Sequence, residues 1–551
     1  MNENLFGTDG IRGKVNLAIS DDKSAIDKLK LERQVSPTLM KLIGESLGGI
    51  SESTVQTKNK VVVGWDERPG NILLANYLTI GLNAANFEVI HIGLCATPTL
   101  HFATLANGAE FGCMITASHN PVDDSGLKIF NKYGYKTTPD FERLLSHTII
   151  SLAQEERELD LIDLEFLSKP SKIFEIEEWA IPNHRTWISS RVELLMEMLN
   201  FNSNHIPAQI NTPFLIDSSK GFASHWFADW LTKWGINSIE VSKNAEALNF
   251  NCGAGDFSPT DEWTFDEAHN SHHHLLKQLP MCESGKIVAG AFDGDGDRCL
   301  LIETTEFGYR VIDGDRMADT IVNSMTNSGY DWTMAASIES NLSLTTNLDR
   351  FAKTVEVHET AVGDRWLSFK LSDQETQHTF IQSKDMPLRL GVEDSGHIVM
   401  AAPHPTIPNN WSLVGDGIMT LMSYLISLQN CTEISLMKRG WKKRQSVKNI
   451  DRSQWDGMNK LSNEVEHILK TTLKNHSTIE GWERGKVEGE QNLMMIACKY
   501  GGKQLSIGIR NSGTQEKISI SARLEQGGNY NGIPETMNQV CEHLANNMIN
   551  R

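Results

Sequence analysis

Four short apolar runs constrain this chain more than any other feature: Val61-Val62-Val63-Gly64, Phe111-Gly112-Cys113-Met114-Ile115, Phe214-Leu215-Ile216-Asp217 and Ile287-Val288-Ala289-Gly290-Ala291-Phe292. Each reads as a short buried strand. Helix-length segments at 72–86 and 222–234 and further strands at 88–92 and 238–241 alternate with them. Such alternation predicts parallel strands joined by crossover helices. A third pass begins near Asp315, with a helix opening at Arg316 and later apolar segments around 354–357 and 398–401. After Lys438-Arg439-Gly440 the composition changes, and strand-like segments at 492–499, 504–510 and 517–523 alternate with helical ones. The fold class is therefore α/β, with three similar α/β units and a smaller C-terminal α+β domain. A chain of 551 residues has room for that many cores.

Two stretches break the pattern. Residues 154–182 are charged and weakly patterned and read as a linker or surface insertion. Residues 259–286 carry His269 and His272-His273-His274, which read as a solvated loop and not as a metal site. Eight scattered cysteines without a C-x-x-C pair suggest neither zinc nor disulfides, and fit a reducing compartment. No basic leader precedes an apolar stretch, and no apolar run approaches the roughly 18 residues needed to cross a bilayer. A cytoplasmic protein with no membrane partner is expected. The net charge of −19 argues against nucleic-acid binding, which depends on Lys and Arg neutralising phosphates. A small anionic substrate would need a local basic cleft.

The chemistry sits at strand ends. Met114-Ile115-Thr116-Ala117-Ser118-His119-Asn120-Pro121 places a hydroxyl beside an imidazole after a strand, where open α/β sheets hold ligands. No G-x-S-x-G elbow occurs, so an α/β-hydrolase is unsupported. Asp293-Gly294-Asp295-Gly296-Asp297-Arg298 alternates three carboxylates with glycines, so the carboxylates can converge on one Mg²⁺. An EF-hand fails here because Arg298 stands where the loop glycine belongs and Thr304 where its last glutamate belongs. Serine and acidic loop together suit metal-assisted phosphoryl transfer. Lys128 can balance phosphate charge, or supply a proton if a positive, partly buried cleft lowers its pKa. Gly7-Thr8-Asp9-Gly10-Ile11-Arg12-Gly13 sets an arginine among glycines for phosphate. Glu393, Ser395 and His397 suit sugar hydroxyls, and Arg510-Asn511-Ser512-Gly513-Thr514 suits an anion nest.

Taken in their order along the chain, the five segments resemble the α-D-phosphohexomutase family. Gly7 to Gly13 and Val362-Gly363-Asp364-Arg365-Trp366 are most similar to its bacterial phosphoglucosamine mutase branch, and Asn249 to Ala254 resembles a contracted segment of the same group. The resemblance implies four domains with mixed sheets around a central cleft, divided here as 1–180, 181–308, 309–435 and 436–551. It implies Mg²⁺, hexose phosphate and hexose bisphosphate ligands, and exchange of phosphate between O6 and O1 through phosphoserine. Carried over, Ser118 is the phosphorylated residue and a metal ligand, with Asp293, Asp295 and Asp297 holding the ion. His119, Lys128 and Arg12 become acid/base and charge-stabilising candidates. Glu393, Ser395 and His397 would read the sugar. Arg510, Ser512, Gly513 and Thr514 would hold the non-reacting phosphate, with Gly363, Arg298 and Arg365 as further substrate contacts. Asp394 stands where the family is commonly neutral, Gln515 where it has Glu, and Ser519 where a basic residue is common. Glucosamine phosphate is the expected substrate; a phosphomannomutase/phosphoglucomutase, a silent sugar-phosphate-binding homologue and a metal-dependent phosphatase are the alternatives.

Overall fold

The computed structural model describes residues 4–7, 9–51, 59–156, 164–201, 207–372, 379–431, 437–511 and 516–548. Period-two burial organises its first sheet. Val61 and Val63 on strand Lys60–Trp65 face one apolar cluster, with Leu39, Leu42 and Leu78 of the helices Pro37–Gly48 and Asn71–Ala84. Val62 faces the opposite cluster, with Leu100 and Ala103 of helix Thr97–Ala106. Burial on both faces explains the uninterrupted valine run. The sheet has seven strands, in the order Gln34–Val35, Ile11–Val15, Asp124–Asn131, Phe111–Ile115, Lys60–Trp65, Glu88–Leu94 and Lys172–Ile173. Asp124–Asn131 runs antiparallel to both neighbours, so the sheet is mixed.

Two six-stranded mixed sheets follow. The second runs Glu262–Thr264, Gly308–Ile312, Cys299–Thr304, Ile287–Phe292, Ile210–Asp217, Ser238–Glu240. The third runs Val355–Thr360, Trp332–Ser337, Arg389–Val392, Ile398–Pro403, Asn410–Gly415, Ile381–Gln382. They share one core, in which Ile188 of helix Ile181–Met198, Met317 and Ile321 of helix Gly314–Asn327 and Leu421 of helix Gly417–Ser427 meet Phe214, Phe292 and Leu390. A buried ion pair, Arg191 to Asp416 at 2.6 Å, pins the first of these helices to the N-terminus of the last. Because Gly308–Ile312 pairs with Cys299–Thr304, we place the start of the third unit after Ile312 and not at 309.

The fourth sheet is antiparallel: Trp441–Lys448, Lys517–Leu524, Lys503–Asn511, Met494–Tyr500, Ile479–Gly485. Ile507, Ile509, Ile518 and Ile520 pack onto Val465, Leu469 and Val540 of the helices Lys460–Lys474 and Ile533–Asn547. The alternation then turns Arg510, Ser519 and Arg444 to the other face.

Three sequence expectations change. Part of 154–182 is not a linker: Lys172–Ile173 adds a parallel edge strand against Ile90 and His91, and Phe174 stacks on Trp179. The segment 222–234 is broken at Trp226 into a 3₁₀ turn, Phe222–His225, and a helix, Phe227–Lys233. His273 is buried against Phe257 rather than solvated. No helix among the described residues is long and apolar enough to cross a membrane.

Asp315, at the start of helix Gly314–Asn327, is buried with Oδ2 on the Asn341 amide at 2.6 Å and Oδ1 without a partner. Burial first, then Asp313, pushes its pKa up to about 6. The sign follows from linkage: a carboxyl whose folded pKa exceeds its unfolded value near 4 costs stability increasingly as pH rises from about 4 to 6, and the cost is constant above that. Asp315→Asn is expected to stabilise the protein by about 2 kcal/mol at pH 7.5 and not at pH 4. Denaturant unfolding at the two pH values checks this.

Candidate active site

The carboxyl ends of strands from the first three units, together with the polar face of the fourth sheet, converge on a cleft of about 690 Å³. Asp9, Arg12 and His119 line it from the first unit, Asp297 and Arg298 from the second, Gly363, Glu393 and His397 from the third, and Arg444, Arg510 and Lys517 from the fourth.

Ser118 follows strand Phe111–Ile115 in a left-handed conformation, φ +54°, which is strained for a non-glycine residue. The surroundings enforce it. Arg68, fully buried, donates to the carbonyls of Ser118 (2.6 Å), Asn120 (3.0 Å), Pro121 (2.5 Å) and Asp124 (2.9 Å) and to Asp66 Oδ2 (3.0 Å). Asn249 donates to the same Ser118 carbonyl at 2.8 Å, and Thr116 Oγ1 accepts from the Ser118 amide at 2.8 Å. Gly294 has no room for a side chain, since a Cβ there would lie 2.9 Å from the Ser118 carbonyl. The result aims Ser118 Oγ at Asp293 Oδ2, 2.7 Å away across 175 residues of sequence. Arg68→Ala would take one donor from each of four carbonyls and leave the buried Asp66 carboxylate without its guanidinium. It is expected to cost about 3–5 kcal/mol, with Arg68→Lys recovering only part because a lysine lacks the fork of donors. Chemical denaturation of both variants measures this.

Asp293, Asp295 and Asp297 lie on the turn between Ile287–Phe292 and Cys299–Thr304, all buried, with one ligand atom from each within 4.8 Å of the others. Asp295 Oδ1 has no hydrogen-bond partner, an expensive state for a buried carboxylate oxygen. Burial, then Asp297 and Asp295, push the Asp293 pKa up to about 7. Three hard oxygen donors, one orphaned and one pushed toward protonation by burial and by the other two carboxylates, fit a divalent cation.

Lys128 Nζ lies 2.5 Å from Asp295 Oδ2, 2.7 Å from Asp297 Oδ2 and 3.4 Å from Asp9. Burial alone would lower its pKa, but these carboxylates hold it well above the ordinary lysine value. This corrects the expectation of a lowered pKa: the lysine is a fixed positive charge. His119 behaves oppositely. Arg298 first, then burial and Arg12, push its pKa well below the ordinary imidazole value, and its buried Nδ1 has no hydrogen-bond partner. Arg12 is held by Asp9, from Nη2 to Oδ2 at 2.8 Å. Arg298 Nε stands 3.9 Å from Asp293, while the Arg298 amide donates to Asp293 Oδ1 at 3.2 Å.

In the third unit the hairpin between Arg389–Val392 and Ile398–Pro403 carries the sugar-contact candidates. Glu393 accepts from the Gly363 amide at 2.7 Å and from Ser395 Oγ at 3.3 Å. Gly363 has φ +119°, a conformation that favours glycine. His397 is placed differently from a simple sugar reader. Its Nε2 meets Asp364 at 3.0 Å and its Nδ1 lies 3.5 Å from Asp297. Burial opposes its charge, yet Asp297 and Asp364 raise its pKa to about 10. Arg365 is likewise engaged, donating from both Nη atoms to Glu142 at 2.8 and 2.7 Å and tying the third unit to the first. In the fourth unit Arg510 faces the cleft; Ser512, Gly513 and Thr514 lie outside the described residues.

The structure adds Asp9, Thr97, Lys136, Asp364, Arg68 and Asn249. Lys136 joins Asp9 and Asp364, each at 3.2 Å. Thr97 Oγ1 donates to Asp295 Oδ2 at 2.5 Å, and its amide to the Asp295 carbonyl. Asp9, Asp364 and Asn249 sit within motifs visible in the sequence; Lys136 and Thr97 carry no local signal.

Comparison with known proteins gives the same picture. Residues 3–156 match the model of phosphoglucomutase/phosphomannomutase alpha/beta/alpha domain I, and residues 313–443 that of domain III, together more than half of the chain. The chain is 27% identical to a phosphoglucosamine mutase of Listeria monocytogenes serotype 4b (strain F2365), covering 98% of this chain and 97% of that one. It is 25% identical to a phosphoglucosamine mutase of Ruegeria sp. (strain TM1040), covering 95% of each. Among solved structures, a phosphoglucomutase/phosphomannomutase family protein from Burkholderia thailandensis aligns over 100% of this chain and 99% of that one, with TM-score 0.61 and 17% identity. An N-acetylglucosamine-phosphate mutase in its product complex aligns over 87% and 94%, with TM-score 0.51 and 16% identity. Domain matches, full-length relatives and fold agree: the chain belongs to the phosphoglucomutase/phosphomannomutase family, the α-D-phosphohexomutases.

Proposed function

We propose that this phosphohexose mutase interconverts glucosamine 6-phosphate and glucosamine 1-phosphate through phosphoserine at Ser118. The observation that carries the site assignment is the convergence of Ser118 Oγ, the acidic triad and Lys128 beside a cleft that His119, Asp297 and Arg510 line together. A cleft that joins the acidic triad to an arginine of the fourth sheet suits a substrate bound through more than one group. A free sugar hydroxyl attacks the phosphorus of phosphoserine, the bond from phosphorus to Ser118 Oγ breaks, and the hydroxyl proton passes to a base. His119, next to Ser118 in the chain and lining the cleft, is our candidate for that base, and Lys128 and Arg12 offset charge on the transferring group. The bisphosphate then turns around and returns its other phosphoryl group to Ser118.

A cation held by Asp293, Asp295, Asp297 and an oxygen at Ser118 would supply electrostatic neutralisation of the phosphoryl oxygens, the main need of a loose phosphoryl transition state. Glu393 supports an amino sugar, because a carboxylate lining the cleft can pair with a protonated 2-amino group. The curated relatives are named for glucosamine phosphate.

Assay of the purified protein on glucosamine, glucose and mannose phosphates with Mg²⁺ tests the substrate. A kcat/KM at least about tenfold higher for glucosamine phosphate is expected. A preference for mannose or glucose phosphate overturns the sugar assignment, and release of inorganic phosphate in place of isomer overturns the mutase reading.

A further inference from the structure

The distal arginines already hold an anion. Glu339, just beyond strand Trp332–Ser337 of the third unit, reaches across to the fourth sheet. Its carboxylate accepts from Arg510 Nη2 at 2.9 Å and lies 3.1 and 3.2 Å from Arg444 Nη1 through its two oxygens. The second Nη of Arg510 is 3.2 Å from Glu490. The main-chain carbonyl of Glu339 accepts from Lys442 Nζ, so the backbone bearing the carboxylate is itself tied to the fourth sheet. Burial opposes ionisation, but Arg444 and Arg510 outweigh it and hold the Glu339 pKa below its ordinary value. Burial first, then Arg444, Lys448 and Arg510, depresses the pKa of Lys517, and Glu339 opposes them. Arg444, Arg510 and Lys517 all open onto the cleft.

We propose that Glu339 is a built-in counter-anion for the distal phosphate site, and that Arg444 binds the non-reacting phosphate beside Arg510. The inference rests on the mutase reading given above. A carboxylate bridging two guanidiniums uses the same donors that phosphate oxygens take. A bisphosphate that turns around must leave this site and be replaced there by its other phosphate in every cycle. A bare Arg444, and an Arg510 left with Glu490 alone, would make each departure costly, because part of the released charge would be left unpaired. Glu339 takes the arginines back at each release, so the site exchanges one anion for another. A phosphate dianion displaces the carboxylate through its greater charge and additional acceptor oxygens. Glu339 is thus a positioning residue and Arg444 a binding residue.

The test uses the full-length protein with Mg²⁺. Glu339→Gln keeps the side chain's shape and removes its charge. It is expected to tighten inorganic phosphate binding, read by calorimetry, and to lower KM for hexose phosphate, each by about fivefold. It should also lower kcat by about tenfold, with bisphosphate accumulating on the enzyme in quenched reactions. Arg444→Ala is expected to raise phosphate Kd and KM by about tenfold, and Arg444→Lys to recover part of that loss. Unchanged or weaker phosphate binding in Glu339→Gln, or a wild-type KM in Arg444→Ala, overturns the proposal. Should Glu339→Gln not fold, the two Arg444 variants decide through KM. If the wild-type protein interconverts no hexose phosphates, the mutase reading fails instead, and phosphate calorimetry on Glu339→Gln still reports whether the carboxylate competes.

Discussion

Ser118→Ala is expected to lower turnover by roughly four orders of magnitude or more, because phosphoryl transfer has no other route once the carrier oxygen is gone. Binding of hexose phosphate should stay within about threefold of wild type, since the cleft residues Arg12, Glu393 and Arg510 are untouched. The fold should persist as well. Only one side-chain hydrogen bond is removed, the one to Asp293, while Arg68 and Asn249 grip the backbone carbonyl and not the hydroxyl. Circular dichroism, calorimetry with glucosamine 6-phosphate and an isomerase assay together read the three expectations. Retained turnover in this variant would remove Ser118 from the reaction.

Asp293→Asn carries the second large effect. Asp293 both accepts from Ser118 Oγ and stands in the acidic triad, so the substitution weakens cation binding and misaligns the nucleophile together. A loss of about 10³ in kcat is expected at saturating Mg²⁺. Stability should move the other way. Three buried carboxylates repel one another, and burial with Asp297 and Asp295 already drives Asp293 toward protonation near pH 7. The metal-free variant is therefore expected to melt at least as high as the metal-free wild-type protein at pH 8, and to lose the rise in Tm that Mg²⁺ produces in the wild type. Thermal melts with and without Mg²⁺ check both signs. A variant that melts lower and still responds to Mg²⁺ would show that the triad is not the cation site.

The sequence made the strand-end chemistry legible for a physical reason. Strands buried on both faces leave continuous apolar runs, and the loops just after them, at Ser118 and at Asp293 to Asp297, are where an α/β sheet presents side chains to a ligand. Burial and charge state were much less legible. Lys128 looks in sequence like a residue whose pKa a cleft would lower. Asp9, Asp295 and Asp297, contributed by segments far away in the chain, reverse the sign. His397 and Arg365 carry the right groups for substrate contact, yet Asp297, Asp364 and Glu142 engage them in ion pairs that no local pattern announces. Arg68 follows strand Lys60–Trp65 without any motif, and its role emerges only when four carbonyls of the serine loop surround it. Strand Trp441–Lys448 escaped notice because it is an edge strand with little apolar alternation, Trp-Lys-Lys-Arg-Gln-Ser-Val-Lys. Those same polar positions supply Lys442 and Arg444 to the interface with the third unit.

The proposed function has Ser118 carry phosphate reversibly between the two ends of one sugar. Intact mass and peptide mapping after incubation with a hexose 1,6-bisphosphate and Mg²⁺ test this. A single added phosphate is expected on the peptide containing Ser118, removed when glucosamine 6-phosphate is added and recovered as sugar bisphosphate. A protein that takes up no phosphate there, or whose phosphate is lost to water as inorganic phosphate, would contradict it.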